Sequence, residues 1–435
     1  MNVCVIGLGY VGLTLAVYLA RKGMNVHGID VSENVLNSLT NGKAHFFETD
    51  FDAQLEESIK SGFITFGKDY KTTSENVSYI VTVGTPLNDQ GHVNLQPLKA
   101  VCAELEKHLK DGDLVILRST VRVGITRDIV KPELDKTGVD YHLAFCPERT
   151  LEGCAFEELA SLPQIISGID DKSLNVVRDF FEPVCAETVA LGSVEEAEMV
   201  KLLNNSERDL MFSLANEIAL MCDAKGLNAY RIIEAANYKY SRSNIKKPGP
   251  VGGPCLEKDP YILTEGFLET DYVPRLFRQS RAVNENTITI SLNRIFDKID
   301  KQLEDGPKKI AILGFAFKGV PPTGDMRGSL VYSVIHEIKN RYPYVDIVGH
   351  DYLADHQEMH ESGVLVANSV KDAIEGANLI VLQNNHPDYQ KEDWNSMQHE
   401  FGKNAILFDF WNQLNNVEIS DNLIYASLGG MGVMK

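Results

Sequence analysis

The chain has no Cys-x-x-Cys pair, no excess of basic residues, no low-complexity tract and no apolar run approaching the ~18 residues of a membrane span. Each absence closes a class of function. The seven cysteines (Cys4, Cys102, Cys146, Cys154, Cys185, Cys222 and Cys255) are odd in number and scattered. That excludes a disulfide or zinc framework, so no bound metal is expected and a reducing compartment is. Asp and Glu total 61 against 42 Lys and Arg, a net charge of −19. Neither nucleic acid nor an anionic membrane surface suits such a chain as its main partner, although a local cluster of Lys and Arg can still hold an anionic substrate. Met1–Ile6 leads straight into a glycine motif, so no signal peptide is expected and the cytoplasm is the expected location.

What is present is a chain of 435 residues with 44% hydrophobic content, enough for two to three packed domains at roughly 150 residues each. Val3–Ile6 is a short apolar run followed by Gly7-Leu8-Gly9-Tyr10-Val11-Gly12. An amphipathic stretch then runs to about Lys22, and a second apolar run, Val26–Ile29, ends at Asp30. Strand, glycine turn, helix, strand and acid, in that order, form a dinucleotide-binding fingerprint. The glycines permit a tight turn and close approach of a pyrophosphate to the helix N-terminus. Asp30 suits a ribose hydroxyl and repels a 2′-phosphate, which favours NAD over NADP.

Three later apolar runs end in polar tips. Tyr79–Val83 leads to Gly84-Thr85-Pro86, Leu114–Leu117 to Ser119-Thr120, and Tyr141–Phe145 to Cys146-Pro147-Glu148-Arg149. Any one of them is also ordinary loop chemistry. As strands of one parallel sheet they would border the crevice that holds the nicotinamide, because ligands bind beyond the C-terminal ends of such strands.

From Ser193 to Lys225 the apolar residues Met199, Leu202, Leu203, Leu210, Leu214, Ile218 and Met221 recur near helical spacing. A helix of that length predicts a central connecting element with a dimer surface. Further helices are predicted over Ala229–Asn237 and Pro274–Lys301. A second α/β unit starts near Pro307: Lys309–Leu313 precedes Gly314-Phe315-Ala316-Phe317-Lys318-Gly319, a helix is predicted over Ser329–Asn340, and Val345–Val348, Asn378–Leu382 and Ala405–Phe408 are further strands. Its glycine loop is not GxGxxG, so a different nucleotide part is expected there.

Three constellations carry chemistry. Cys255 follows Gly252-Gly253-Pro254 and precedes Lys258-Asp259. The glycines let backbone approach a ligand, Lys258 is placed to lower the thiol pKa, and a thiol beside an NAD site can hold a carbonyl carbon as a thiohemiacetal and then a thioester. Lys201 and Asn205 lie four apart on one helix face; they are either an oxyanion-stabilising pair or a solvated Lys beside a packing Asn. Glu148 and Glu152 also lie four apart, and are either a surface acidic pair or the source of a general base for water attacking an acyl group.

Taken together these motifs resemble the UDP-glucose/GDP-mannose dehydrogenase family of nucleotide-sugar 6-dehydrogenases. The resemblance rests on Gly7–Gly12 with Asp30, Gly84-Thr85-Pro86, Arg118-Ser119-Thr120-Val121, Pro147-Glu148-Arg149, Lys201 with Asn205, Gly252-Gly253-Pro254-Cys255 with Lys258-Asp259, and Ala316-Phe317-Lys318 followed by Asp325 and Arg327. It implies an α/β fold of two Rossmann-like doubly wound domains joined by a central long-helix dimerisation domain. The implied divisions are 1–192 for NAD, 193–300 for the helices and 301–435 for the UDP-sugar, in a homodimer or higher homo-oligomer.

Roles follow from the resemblance residue by residue. Cys255 is the implied nucleophile and Lys201 the oxyanion stabiliser. Asp259 and Asn205 organise water and protons, and Thr120 and Glu148 position the hydrolytic water, with Glu148 as its base. Gly7, Gly9, Tyr10, Val11, Gly12, Asp30, Gly84, Thr85, Pro86, Thr120, Glu152 and Arg327 are the implied cofactor contacts. Glu148, Arg149, Lys201, Asn205, Gly252, Gly253, Cys255 and Lys318 are the implied substrate contacts, together with Arg242 reaching in from a partner subunit.

The implied reaction is a four-electron oxidation of a sugar C6 alcohol to the acid. Arg149 after Pro147-Glu148 resembles the N-acetylhexosamine branch, which points to UDP-N-acetylmannosamine or UDP-N-acetylglucosamine. Glu152, where many of that branch have Pro, and Lys258, frequent in the glucose branch, depart from the pattern, and UDP-glucose stays open as the alternative. Outside the family, a two-electron hydroxyacid dehydrogenase and a non-catalytic nucleotide-sensing protein are the rivals.

Overall fold

A computed structural model describes residues 1–48, 50–70, 75–88, 91–397, 399–418 and 423–431. The chain divides into two compact units: Met1–Asn205 with Tyr261–Val273, and Ser206–Pro260 with Pro274–Lys435. The stretch 193–300 is therefore shared between them.

The first unit is built on eight strands: β1 Asn2–Ile6, β2 Asn25–Ile29, β3 Ile64–Gly67, β4 Val77–Val81, β5 Leu114–Leu117, β6 His142–Phe145, β7 Gln164–Gly168 and β8 Thr188–Ala190. Their order is β3-β2-β1-β4-β5-β6-β7-β8. All neighbours run parallel except β6 and β7. This is the doubly wound order, reversing direction between β1 and β4. Alternation along β1 explains why both faces are covered: Val3 and Val5 join one apolar cluster, Cys4 and Ile6 the other.

The second unit repeats the device with β9 Lys309–Leu313, β10 Asp346–His350, β11 Leu365–Val366, β12 Leu379–Leu382, β13 Ile406–Asp409 and β14 Ile424–Ser427. The order is β11-β10-β9-β12-β13-β14, all parallel. Ile310 and Ile312 face one cluster, Ala311 and Leu313 the other.

The predicted long helices form as Val194–Lys225 and Leu276–Gln302. The second buries Ile288, Leu292, Ile295, Phe296 and Ile299 along one stripe at helical spacing. Asn228 caps the helix Ala229–Asn237 by accepting from the Arg231 amide. The α/β class and the two parallel sheets agree with the sequence reading. Strands β3, β7, β8, β11 and β14 were not anticipated. Two of them are only two or three residues long, too short for a periodic signal, and β7 is a reversed strand beside an otherwise parallel set.

Candidate active-site residues

In the first unit the expected cofactor residues sit beyond the C-terminal ends of β1, β2, β4, β5 and β6. Gly7 adopts φ +91°, a conformation L side chains rarely take. Gly9 is the N-cap of the helix Tyr10–Arg21, which no side chain caps, and a Cβ on Gly9 would meet nothing within 4 Å. A Cβ on Gly12 would lie 1.9 Å from the Gly7 carbonyl oxygen, so only glycine lets helix and strand pack this closely. Asp30 accepts from the Leu8 amide (2.8 Å) and the Ser32 amide (2.8 Å), which fixes its carboxylate at the end of β2. An uncapped helix N-terminus, open space above Gly9 and an anchored acid fit the pyrophosphate and ribose of NAD.

Neighbouring strand tips are tied together by side chains. Thr82 donates to the carbonyls of Ile6 (3.0 Å) and Gly7 (2.7 Å). Ser119 donates to the Val83 carbonyl (2.7 Å), and the buried Thr85 hydroxyl donates to the Thr120 carbonyl. Arg118, at the end of β5, forms a buried ion pair with Glu148 beyond β6 and donates to Gln164 (2.9 Å). The other Glu148 oxygen accepts from the amides of Arg149 (2.8 Å) and Thr150 (2.7 Å). Burial works against its charge, but Arg118, these amides and Lys201 outweigh it and hold the carboxyl at about 2. A carboxylate lowered in this way keeps its charge and accepts hydrogen bonds. The expected role of Glu148 as a base is set against this pairing with Arg118.

The loop after Arg149 is anchored through a residue the sequence reading passed over. Buried Glu48 receives the Tyr10 hydroxyl and the amides of Gly153 (2.7 Å) and Ala155 (3.0 Å). Tyr10 is thereby committed to this knot, with Glu152 alongside. Arg149 donates to the Pro163 carbonyl.

Lys201 and Asn205 project from the helix Val194–Lys225 one turn apart. One turn earlier lies buried Glu198, which accepts from the Gly124 amide (2.6 Å) and from the amide (2.8 Å) and hydroxyl (2.6 Å) of Thr126. It fastens the segment following Thr120 to the helix that carries Lys201. Burial pushes its carboxyl up to about 7 despite those donors.

Cys255 belongs to the second unit. It lies in the short helix Gly253–Leu256 and is exposed. Cys4, Cys102 and Cys146 are instead buried, and burial pushes their thiols up to about 12, which leaves them inert. Lys258 pairs with the fully buried Asp259 (2.9 Å). Burial opposes the Lys258 charge, yet Asp259 and the Cys255 sulfur together hold its ammonium above the usual range.

The turn before Cys255 is tightly enclosed. A Cβ on Gly249 would meet the Trp411 ring at 2.4 Å, and Gly253, at φ +88°, would meet the Phe317 ring at 2.4 Å. The Gly253 amide donates to the Gly328 carbonyl (2.7 Å). So the turn abuts the loop that carries Lys318, whose ammonium lies over Phe317, and Arg327, which forks onto Asp325 (2.5 to 3.0 Å). Arg242 is exposed and stacks on Tyr240, 4.8 Å from the ring centre.

Sequence reasoning missed Glu48, Glu198 and the partnership of Arg118, and also the buried polar set Asp209, Asn216, Arg281 and Asn284. The available signal for Glu198, Asp209, Asn216, Arg281 and Asn284 was polar residues on helix faces whose neighbours are apolar, which a search for catalytic motifs does not weigh; Glu48 lies between helices and Arg118 directly follows a strand, and neither carries that signal.

Comparison with known proteins agrees with this arrangement. Residues 1–185 match the NAD binding domain of the UDP-glucose/GDP-mannose dehydrogenase family, 195–286 its central domain and 311–416 its UDP binding domain. The chain is 31% identical over 426 residues to a UDP-N-acetyl-D-mannosamine dehydrogenase of Pyrococcus horikoshii, covering 93% of this chain and 96% of that one. A solved structure of UDP-D-ManNAc dehydrogenase from Pyrococcus horikoshii superimposes with a TM-score of 0.88 at 30% identity over 100% of both chains. The UDP-N-acetyl-mannosamine dehydrogenase of Staphylococcus aureus gives 0.84 at 26% identity over 99% of both. Among the described residues no helix is long and apolar enough to cross a membrane. With the NAD binding, central and UDP binding domains matched in order over residues 1–185, 195–286 and 311–416, the chain belongs to the UDP-glucose/GDP-mannose dehydrogenase family.

Proposed function

We propose that the protein oxidises the C6 hydroxyl of a UDP-N-acetylhexosamine, UDP-N-acetylmannosamine first and UDP-N-acetylglucosamine second, to the uronic acid. One CH₂OH group, two NAD and one water give one carboxylate, two NADH and three protons. Cys255 carries the reading. It is an exposed thiol in a glycine turn beside an ion pair, in a chain whose fully buried thiols are held in their neutral form. The choice of sugar is supported by Arg149 after Pro147-Glu148 and by relatives named for UDP-N-acetyl-D-mannosamine.

Bound NAD supplies the hydride acceptor at each oxidation. The chain's own residues do the rest. Gly7, Gly9, Gly12 and Asp30 seat the pyrophosphate and ribose. The Cys255 sulfur adds to the C6 aldehyde as a thiohemiacetal, and loss of a second hydride leaves a thioester. Lys201 stabilises the oxygen that bears developing charge, and Asn205 and Asp259 hold water and protons. Thr120 and Glu148 orient the water that cleaves the thioester, Glu148 as a fixed negative acceptor. Lys318 and Arg327 serve the phosphates, and Arg242 reaches the substrate of a neighbouring copy.

The same proposal keeps the functional divisions 1–192, 193–300 and 301–435, a cytoplasmic location and a homodimer. Leu214 and Met221, 51% and 64% exposed on the helix Val194–Lys225, support the dimer. The match to all three family domains sets aside a two-electron hydroxyacid dehydrogenase.

The test is a panel of UDP-N-acetylmannosamine, UDP-N-acetylglucosamine, UDP-glucose and GDP-mannose, with NADH counted per sugar. Two NADH and one acid from an N-acetylhexosamine are expected. A preference for UDP-glucose overturns the sugar assignment, and one NADH per sugar overturns the four-electron reaction. Cys255→Ser is expected to stop acid formation with NAD binding intact; undiminished acid from that variant removes the thioester.

A further inference from the structure

We infer that Arg281, with Asp209 as its counter-ion and Asn216 and Asn284 as its neighbours, is the positioning residue for Cys255. The inference rests on the reading of Cys255 as nucleophile and adds the device that aims it.

Arg281 lies on the helix Leu276–Gln302 and is buried, as are Asp209 and Asn216 on the helix Val194–Lys225. Its guanidinium meets the Asp209 carboxylate at 2.5 Å. The same guanidinium donates to the carbonyls of Val251 (3.1 Å) and Leu256 (3.4 Å). Val251 precedes the turn Gly252-Gly253-Pro254-Cys255 and Leu256 follows it, so one side chain holds both ends of the turn. Asn216 holds the stretch just before it, donating to the Gly249 carbonyl (3.0 Å) and accepting from the Gly249 amide (2.8 Å). Asn216 also donates to Asn284 (2.9 Å), and Asn284 donates to the Asp209 carboxylate (2.7 Å). The bonds run unbroken from Gly249 through three buried side chains to Arg281 and on to Val251 and Leu256.

The chemistry explains why such a device belongs here. A sulfur attacking a carbonyl carbon needs a narrow range of distance and angle, and a displacement of about 1 Å can cost on the order of 100-fold in rate. Two consecutive glycines leave the turn few constraints of its own. Placement must therefore come from outside the turn. Arg281 serves four acceptors at once, the two carbonyls and the carboxylates of Asp209 and Glu285 (3.1 Å), which a planar fork of five donors can do and the three donors of an ammonium cannot. For stability alone, an apolar pair would serve as well as a buried ion pair.

The experiment uses the full-length protein with Arg281→Lys and Asn216→Ala, each checked for folding by circular dichroism and thermal melting. Three quantities are read: the rate of Cys255 carbamidomethylation by iodoacetamide, kcat against KM for UDP-sugar and NAD, and NADH per sugar. In Arg281→Lys, kcat is expected to fall on the order of 100-fold with both KM values little changed. The aldehyde then escapes before capture and NADH per sugar drops from two towards one. Asn216→Ala is expected to move the same quantities in the same direction by on the order of tenfold. Because it leaves the Arg281–Asp209 ion pair in place, it decides the matter if Arg281→Lys does not fold. Folded variants that keep wild-type kcat, two NADH per sugar and unaltered alkylation overturn the inference, as does a loss confined to melting temperature. If Cys255→Ser still makes acid, the nucleophile reading itself falls. If Cys255→Ser is dead and both variants are normal, only the role of Arg281 falls.

Discussion

Arg118 and Glu148 are locked in a buried ion pair beyond the ends of two adjacent parallel strands, β5 and β6. The pair sets both the charge of Glu148 and the spacing of two strand tips. Removing one partner strands the other charge in a dry site. Glu148→Gln is therefore expected to destabilise the protein by about 3–5 kcal/mol, read by urea unfolding at pH 7.

The same pair fixes a pH dependence. Glu148 is held at about 2, below its ordinary value of 4.5, so its stabilising contribution is present above pH 4.5 and lost as pH falls through about 2. Glu148→Asp is expected to leave any break of the kcat profile between pH 5 and 8 where it is. A break in that range that moves with this substitution makes Glu148 a titrating base and contradicts its assignment as a fixed acceptor.

Glu198 has the opposite sign. Burial raises its carboxyl from 4.5 to about 7, so its favourable contribution is present below pH 4.5 and lost as pH rises through about 7. Melting temperatures followed from pH 5 to 8 are expected to fall more for the wild type than for Glu198→Gln. Parallel curves mean that Glu198 ionises as an ordinary surface acid does.

The proposed role of Asp30 is to choose NAD over NADP. Asn in its place keeps one acceptor, for the Leu8 or the Ser32 amide but not both, sets an N–H2 against the other, and loses the charge that repels a 2′-phosphate. A hydrogen bond to a charged group contributes about 1.5–3 kcal/mol, so Asp30→Asn is expected to shift the NAD-over-NADP ratio of kcat/KM by about 10- to 100-fold. An unchanged ratio places discrimination elsewhere.

Gly253 tests the enclosure of the thiol turn. Its φ of +88° and the 2.4 Å approach of a Cβ to Phe317 make Gly253→Ala strained twice over. A loss of about 1–3 kcal/mol is expected, together with loss of turnover. A variant of normal stability and rate shows that the turn relaxes freely.

Much of this was readable before folding because the signals are local. The fingerprint from Gly7 to Asp30 fits within one strand–helix–strand segment, and the turn around Cys255 announces itself by composition. What could not be read depends on distant partners. Arg118 finds Glu148 thirty residues on because β5 and β6 are neighbours, and Arg281 finds Asp209 seventy-two residues back because two long helices pack. Neither pairing has a spacing rule. Glu148 shows the same limit in chemistry: its place at a strand end was legible, but its pairing with Arg118, which lowers its carboxyl, comes from a neighbour that spacing does not reveal.

The Gly253 amide rests on the Gly328 carbonyl, and a Cβ on Gly328 would lie 2.4 Å from Glu257. For anyone exchanging parts between relatives, this makes the boundary of the exchange decisive. A crossover between residues 260 and 310 would deliver a new residue 328 against an old residue 253. Chimeras built to borrow another enzyme's sugar preference would then inherit a misfitted thiol turn, unless both glycines travel together.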